Sequence, residues 1–220
     1  MQAYLDNSAT TRVDAQVQEL MKKLMDVDFG NPSSRHQKGV MAEGYIKEAR
    51  QKIAATLKVD PKELIITSGG TESNNMALIG TALAAKRKGN HIITTAVEHP
   101  SVKATASFLE EQGFRITFLS VDSRGQISLE DLKEALTPDT ILVSIMYVNN
   151  EIGTIQPVEE AAKLVHATVP GAVFHVDAIQ AYGKVMIRPK QQGIDLLSVS
   201  SHKFHGPKGA GFLYCSSKVN

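Results

Sequence analysis

In the stretch SVSSHKFHGPKGAG (Ser198–Gly211) one lysine, Lys203, stands between two histidines, just after an apolar run and just before a cluster of glycines. A lysine amine held in a site adds to carbonyls and forms Schiff bases. A lysine judged by type alone is a solvated surface cation, so its company decides. Upstream, TSGGTESNN runs from a strand through Gly69 and Gly70 into a helix, with Thr71 at or near the N-cap. The free amides and dipole of such a helix start favour an anion, most naturally a phosphate. The same turn also serves as a plain structural cap. It matches neither the dinucleotide fingerprint nor a Walker loop, and nor does GPKGAGF.

Asp177 closes the apolar run AVFHV. A carboxylate at the inner end of a buried strand needs a cationic or hydrogen-bonding partner. Two partners fit: a nearby helix or basic side chain, or the protonated ring nitrogen of a cofactor. Gln180, three positions on, faces the same site in the second case. His99, in AVEHPS, either caps the following helix or stacks on a ring and moves a proton. A phosphate anchor, an aspartate for a pyridinium nitrogen, a flat histidine and a Schiff-base lysine are together the requirements of pyridoxal phosphate.

The elements that must position these groups are legible. ELIITS, HIITTAV, RITFLSV, ILVSIMYV, AVFHVDA, DLLSVS and GFLYC read as seven strands, apolar on both faces. Stretches with helical spacing separate most of them. SLEDLKEAL has Ser128 as N-cap and acidic residues in its first turn. PVEEAAKLVHA has Pro157 at the first helical position. DAQVQELMKKLM and GVMAEGYIKEARQKIAATL give two helices before the first strand. The alternation predicts a three-layer α/β/α domain over residues 1–220 around a mainly parallel sheet. In such sheets ligands bind beyond the carboxyl ends of the strands, and five strand ends deliver polar or reactive groups there.

Composition sets the outer limits. The 220 residues are 42% hydrophobic and 21% charged, with 24 basic against 23 acidic side chains. That balance lacks the basic footprint of a nucleic-acid binder. A single cysteine, Cys215, fits a reducing compartment, and the N-terminus has no signal-peptide pattern. No run is apolar enough to span a bilayer. These features predict a cytoplasmic location with neither nucleic acid nor membrane as partner.

YLDNSATT, FGNPSSRHQKG, TSGGTESNN, Glu98-His99, NNEIG, HVDAIQ and SSHKFHGPKGAG follow one another across almost the whole chain. In these motifs the sequence resembles the cysteine desulfurases, within the class V aminotransferase family of fold-type-I pyridoxal-phosphate enzymes. FGNPSS and NNEIG favour a desulfurase over other class V members. The resemblance implies that Lys203 carries the cofactor as a Schiff base, and that His99 stacks on its ring and takes part in proton transfer. Asp177 would pair with the pyridine nitrogen and Gln180 with the ring hydroxyl. Gly70, Thr71, Ser200 and His202 would hold the phosphate, and Asn150 would lie near the cofactor and the substrate carboxylate. No role carries over to His205 or Lys208.

The resemblance further implies conversion of L-cysteine to L-alanine in a homodimer. The sulfur would pass through an enzyme cysteine to an iron–sulfur scaffold or a tRNA-thiolation enzyme. GFLYC would run antiparallel to its neighbours, and residues 1–15 would belong to a small second domain. The family places its nucleophilic cysteine and its carboxylate-gripping arginine beyond the length seen here. The expectation is therefore a large domain without its C-terminal small domain, inactive alone. Cys215, inside a strand, would not replace that nucleophile. A selenocysteine lyase, another class V enzyme and a non-catalytic partner-binding subunit are the alternatives.

Overall fold

A computed structural model describes residues 3–219. Its seven strands are β1 (Leu64–Thr67), β2 (His91–Thr95), β3 (Arg115–Leu119), β4 (Thr140–Met146), β5 (Val173–Asp177), β6 (Leu196–Ser200) and β7 (Gly211–Cys215). They form one sheet in the order β1-β7-β6-β5-β4-β2-β3. Pairs β2–β3, β2–β4, β4–β5 and β5–β6 are parallel, whereas β7 is antiparallel to both β1 and β6. Two antiparallel steps restore direction, so β1 runs with β2 to β6. The carboxyl ends of β1, β2, β4, β5 and β6 therefore share one edge of the sheet.

Helices cover both faces, and the central strands are buried on both sides, whereas the edge strands β1 and β3 are partly exposed. All seven residues of β4 are buried. On one face Leu132 of α5 (Leu129–Ala135) and Ala161 and Val165 of α6 (Val158–Thr168) join Val143, Phe174 and Leu197 in a single apolar core. On the other, Leu78 of α3 (Gly70–Ala85) and Val102 and Leu109 of α4 (Pro100–Glu111) cluster with Ile92, Leu142 and Leu196. The expected three layers are present. Ser128 caps α5 by accepting the Asp131 N–H. Pro157 is the N-cap of α6 rather than its first helical residue. Before the sheet come α1 (Ala15–Asp26), with no buried residue, and α2 (Gln37–Leu57); a short α7 (Pro189–Gln192) leads into β6.

Some strand positions facing α3 are polar. His175 of β5 is fully buried between Ser144 of β4 and Ser198 of β6, at 2.8 and 2.9 Å from its two ring nitrogens. Burial pushes its pKa down to about 3, so the ring is a neutral cross-link between strands. It lies two residues before Asp177 and hence on the same face.

The β6–β7 pair sets the frame of the lysine loop. Ser200 and Gly211 are in register, so ten residues leave and re-enter the sheet at one point. A Cβ on Gly211 would lie 2.5 Å from the Val199 carbonyl oxygen and 2.8 Å from the Gly69 Cα. Both contacts are to backbone, which cannot swing aside. Gly211→Ala is expected to cost about 1–3 kcal/mol by overpacking, read as a lowered denaturation midpoint; an unchanged midpoint would show that the two backbones have room to part.

Candidate active site

The carboxyl edge of the sheet opens into a cleft of about 340 Å³. Each polar group singled out in the sequence lines it. Asp177 ends β5, Gln180 follows in the next turn, and Ser200 ends β6. His202 and Lys203 sit in the 3-10 turn Ser201–Lys203, His99 precedes α4, and Asn150 comes after β4. Gly70 and Thr71 open α3, whose N-cap is Gly69 rather than Thr71. The first amides of a helix have no acceptor inside it, and Gly70 and Thr71 at the start of α3 line the cleft together with Ser200 and His202. A Cβ on Gly70 would press on the Ile179 side chain, which would have to move.

Asp177 is 4% exposed. One carboxylate oxygen accepts the Ile179 N–H at 3.0 Å and the other accepts Asn74 Nδ2 at 2.8 Å. Among the described residues no basic side chain forms an ion pair with it. Burial raises its pKa, and the hydrogen bonds from Ile179 and Asn74 act against that rise. A turn amide and a side chain of the neighbouring helix α3 thus hold this carboxylate, with no basic side chain among the described residues paired to it. His99 satisfies the capping reading and also lies at the cleft. Its Nδ1 caps α4 by accepting the Ser101 N–H at 3.1 Å, while the ring borders the cleft.

Lys203 Nζ donates to the carbonyl oxygens of Ser8 and Ala9 at 2.6 and 2.8 Å. Burial, followed by the nearby Lys184 charge, lowers its pKa. That enlarges the neutral, nucleophilic fraction of the amine. The N-terminal segment is stitched to this loop at several further points. Thr11 donates to the His202 carbonyl through both its N–H and its hydroxyl, at 2.8 and 2.9 Å. Gln180 Nε2 donates to the Ser8 carbonyl at 2.7 Å. Asp6, Ser8 and Ala9 thereby become a wall of the cleft.

Residues 3–220 match the aminotransferase class-V family. The chain belongs to that family. A cysteine desulfurase IscS from Dictyoglomus turgidum is 50% identical over 213 residues, 97% of this chain and 54% of that protein. A solved NifS-like protein superposes with a TM-score of 0.97 at 43% identity, over all of this chain and 60% of its own. SspA, solved in complex with cysteine, gives 0.93 at 41% identity, over 97% of this chain and 61% of its own. The chain spans about half the length of the curated relatives it matches. Among the described residues no helix is long and apolar enough to cross a membrane.

Two features of this class-V cleft escaped the reading of residue types. Glu98, next to His99, is 3% exposed. Its Oε1 accepts the Met146 N–H at 2.8 Å and the Thr95 hydroxyl at 2.9 Å, while Oε2 has no partner among the described residues. Burial, then the neighbouring Asp177 charge, pushes its pKa up to about 8. Glu98 is thus a neutral acid in the fold at neutral pH and a carboxylate once unfolded. The unfolded chain binds fewer protons there between about 4.5 and 8, so this group's contribution falls as pH rises through that window. Glu98→Gln is expected to gain stability over the parent by about 1.4 kcal/mol per pH unit across the window. A stability difference that does not change between pH 5 and 8 would show that Glu98 does not titrate there. The second feature is Asn74 of α3, whose Nδ2 donates to Asp177.

Cys215 lies at the far end of β7, opposite Leu196 where β6 begins. Four residue steps along the strand, roughly 13 Å, separate it from Gly211 at the cleft edge. Burial raises its thiol pKa, which disfavours the thiolate. Its position fits a structural residue.

Proposed function

We propose that this chain is the pyridoxal-phosphate-binding part of a cysteine desulfurase, which converts L-cysteine to L-alanine and passes the sulfur to an enzyme cysteine as a persulfide. The observation that carries the reading is Asp177: a buried carboxylate with two hydrogen-bond donors, no basic side chain paired with it, and an open cleft in front of it. A protonated pyridine nitrogen is the cation such a carboxylate lacks. The cradle left by Gly70, with the α3 amides, Thr71, Ser200 and His202 around it, suits a phosphate dianion. The fit extends to Lys203, whose amine reaches into the same cleft.

When bound, pyridoxal phosphate supplies an electron sink for charge developing on the substrate Cα. Asp177 keeps the ring nitrogen protonated. Gln180, already fixed by Ser8, orients toward the ring hydroxyl. His99 presents Nε2 to the cleft, because Nδ1 is occupied as a cap. Lys203 attaches the group and then serves as the proton carrier nearest the substrate Cα. Asn150, beside the cleft mouth, faces the substrate carboxylate. Binding of cysteine by the solved relative SspA supports L-cysteine as substrate. The exposed apolar side chains of Leu5, Met25 and Phe29 favour association, in keeping with a dimer. A single cysteine and a near-neutral charge support action in the cytoplasm, with an iron–sulfur scaffold or a tRNA-thiolation enzyme as sulfur acceptor.

Addition of pyridoxal phosphate to the chain should give a near-visible absorbance band. Borohydride should then fix the label on Lys203, as located by peptide mapping. The chain alone should release no alanine from L-cysteine, whereas the full-length enzyme should release it stoichiometrically with sulfur. A label on Lys184 or Lys208 would overturn the assignment. Alanine released by the chain alone, and lost in Cys215→Ser, would make Cys215 the nucleophile.

A further inference from the structure

Asn74 stands in the second turn of α3 with no exposed surface, and both of its amide hydrogens are spent on the cleft. One goes to Asp177 Oδ2 at 2.8 Å and the other to the Ser101 hydroxyl at 3.0 Å. Ser101 Oγ in turn lies 2.8 Å from His99 Nδ1. The chemistry fixes the directions. A carboxylate only accepts, so Asn74 must turn its NH₂ toward Asp177 and its carbonyl away. Oδ1 is accordingly buried without a partner among the described residues. Ser101 Oγ accepts from Asn74 and has one hydrogen left to give. His99 Nδ1 already accepts the Ser101 N–H, so it bears no proton, and the Ser101 hydroxyl hydrogen points at it. The neutral ring then carries its proton on Nε2.

We infer that Asn74 is a positioning residue that sets Asp177 and, through Ser101, the ring of His99 from one buried side chain. The inference rests on the functional reading only for its consequence, that the groups meeting the cofactor from β5 and from the start of α4 are aligned together. A residue filling space in the core would not need an amide here, and leaving Oδ1 unpaired would be a cost without return. Other titratable groups facing Asp177 are Glu98, His99 and Lys203.

The test is NMR on the chain without cofactor, with ¹⁵N-labelled histidine and ¹³C-labelled aspartate carboxyls. In the parent chain His99 should be the Nε2–H tautomer. Asn74→Leu removes both donors at similar size and should move the Asp177 midpoint upward. Asn74→Asp sets a second carboxyl against Asp177 and should move it further. Ser101→Ala should leave the Asp177 midpoint in place and keep the Nε2–H tautomer, since the backbone N–H at 101 still meets Nδ1, while the His99 ring shifts move because the hydroxyl contact is lost. In the cofactor-binding titration Asn74→Leu should bind pyridoxal phosphate about tenfold more weakly. An Nδ1–H tautomer in the parent chain overturns the inference, and this reading needs no variant to fold. An Asp177 midpoint unchanged in both Asn74 variants overturns it too. Failure of the parent chain to bind pyridoxal phosphate would instead overturn the functional reading, leaving the cofactor-free results to stand.

Discussion

Lys203→Ala should abolish covalent retention of pyridoxal phosphate. After borohydride treatment the parent chain gains the cofactor mass and the variant gains none. Noncovalent binding should survive, because the α3 amides and Asp177 are untouched, so the variant still quenches free cofactor. In the full-length enzyme turnover should fall on the order of ten-thousand-fold, since one amine supplies both attachment and the nearest proton carrier. Lys203→Arg should do no better, because a guanidinium stays protonated and neither attaches nor carries a proton. Intact mass and alanine release are the two measurements. Borohydride labelling that persists in Lys203→Ala would remove Lys203 from its place in the proposal.

Asp177→Asn should separate binding from chemistry. The amide keeps the shape and still accepts the Ile179 N–H, but it has no charge to hold a ring nitrogen protonated. Affinity for pyridoxal phosphate should fall about tenfold, the range of one charge-assisted hydrogen bond. Turnover of the full-length enzyme should fall on the order of a thousandfold, as for loss of a preorganised electrostatic partner. Burial raises the pKa of Asp177, so the unfolded chain holds its proton less tightly than the fold does. At neutral pH the buried carboxylate therefore weakens the cofactor-free fold, while in Asp177→Asn the new NH₂ faces the Asn74 NH₂, so the two effects on stability oppose each other. Parental turnover in this variant would contradict the role given to Asp177.

The sequence disclosed what depends on residue type and local order. The strands were legible because apolar runs such as TILVSIM and LLSVS admit little else between two helical layers. Asp177, His99 and Lys203 were legible because each follows such a run into a loop. What escaped was whatever depends on partners distant in the chain. Asn74 and Asn75 are alike by type; only the phase of α3 turns one toward Asp177, 103 positions away, and leaves the other accepting from Thr105. The signal available was the i+4 spacing from Gly70, one turn along the face that meets the cleft. Glu98 was quoted beside His99 without a role, since nothing local says that β4 closes over it through the Met146 N–H. The wall made by Asp6, Ser8 and Ala9 had no local sign either.

The stitching of that wall to the lysine loop bears on how the molecule is made. Ser8, Ala9 and Thr11 leave the ribosome early, yet their partners Lys203 and His202 are 191 to 195 positions later. The β6–β7 pair that frames the loop waits until Gly211–Cys215 has been synthesised. The helices and parallel strands from β2 to β5 can assemble during that interval from contacts nearer in sequence. The cleft cannot: until β7 is made, the lysine loop has no return strand, and Ser8, Ala9 and Thr11 have no partners in it. Completion of the cleft thus follows assembly of the sheet's centre, and nascent chains that have not yet made β7 lack a finished pocket in which to trap a reactive aldehyde.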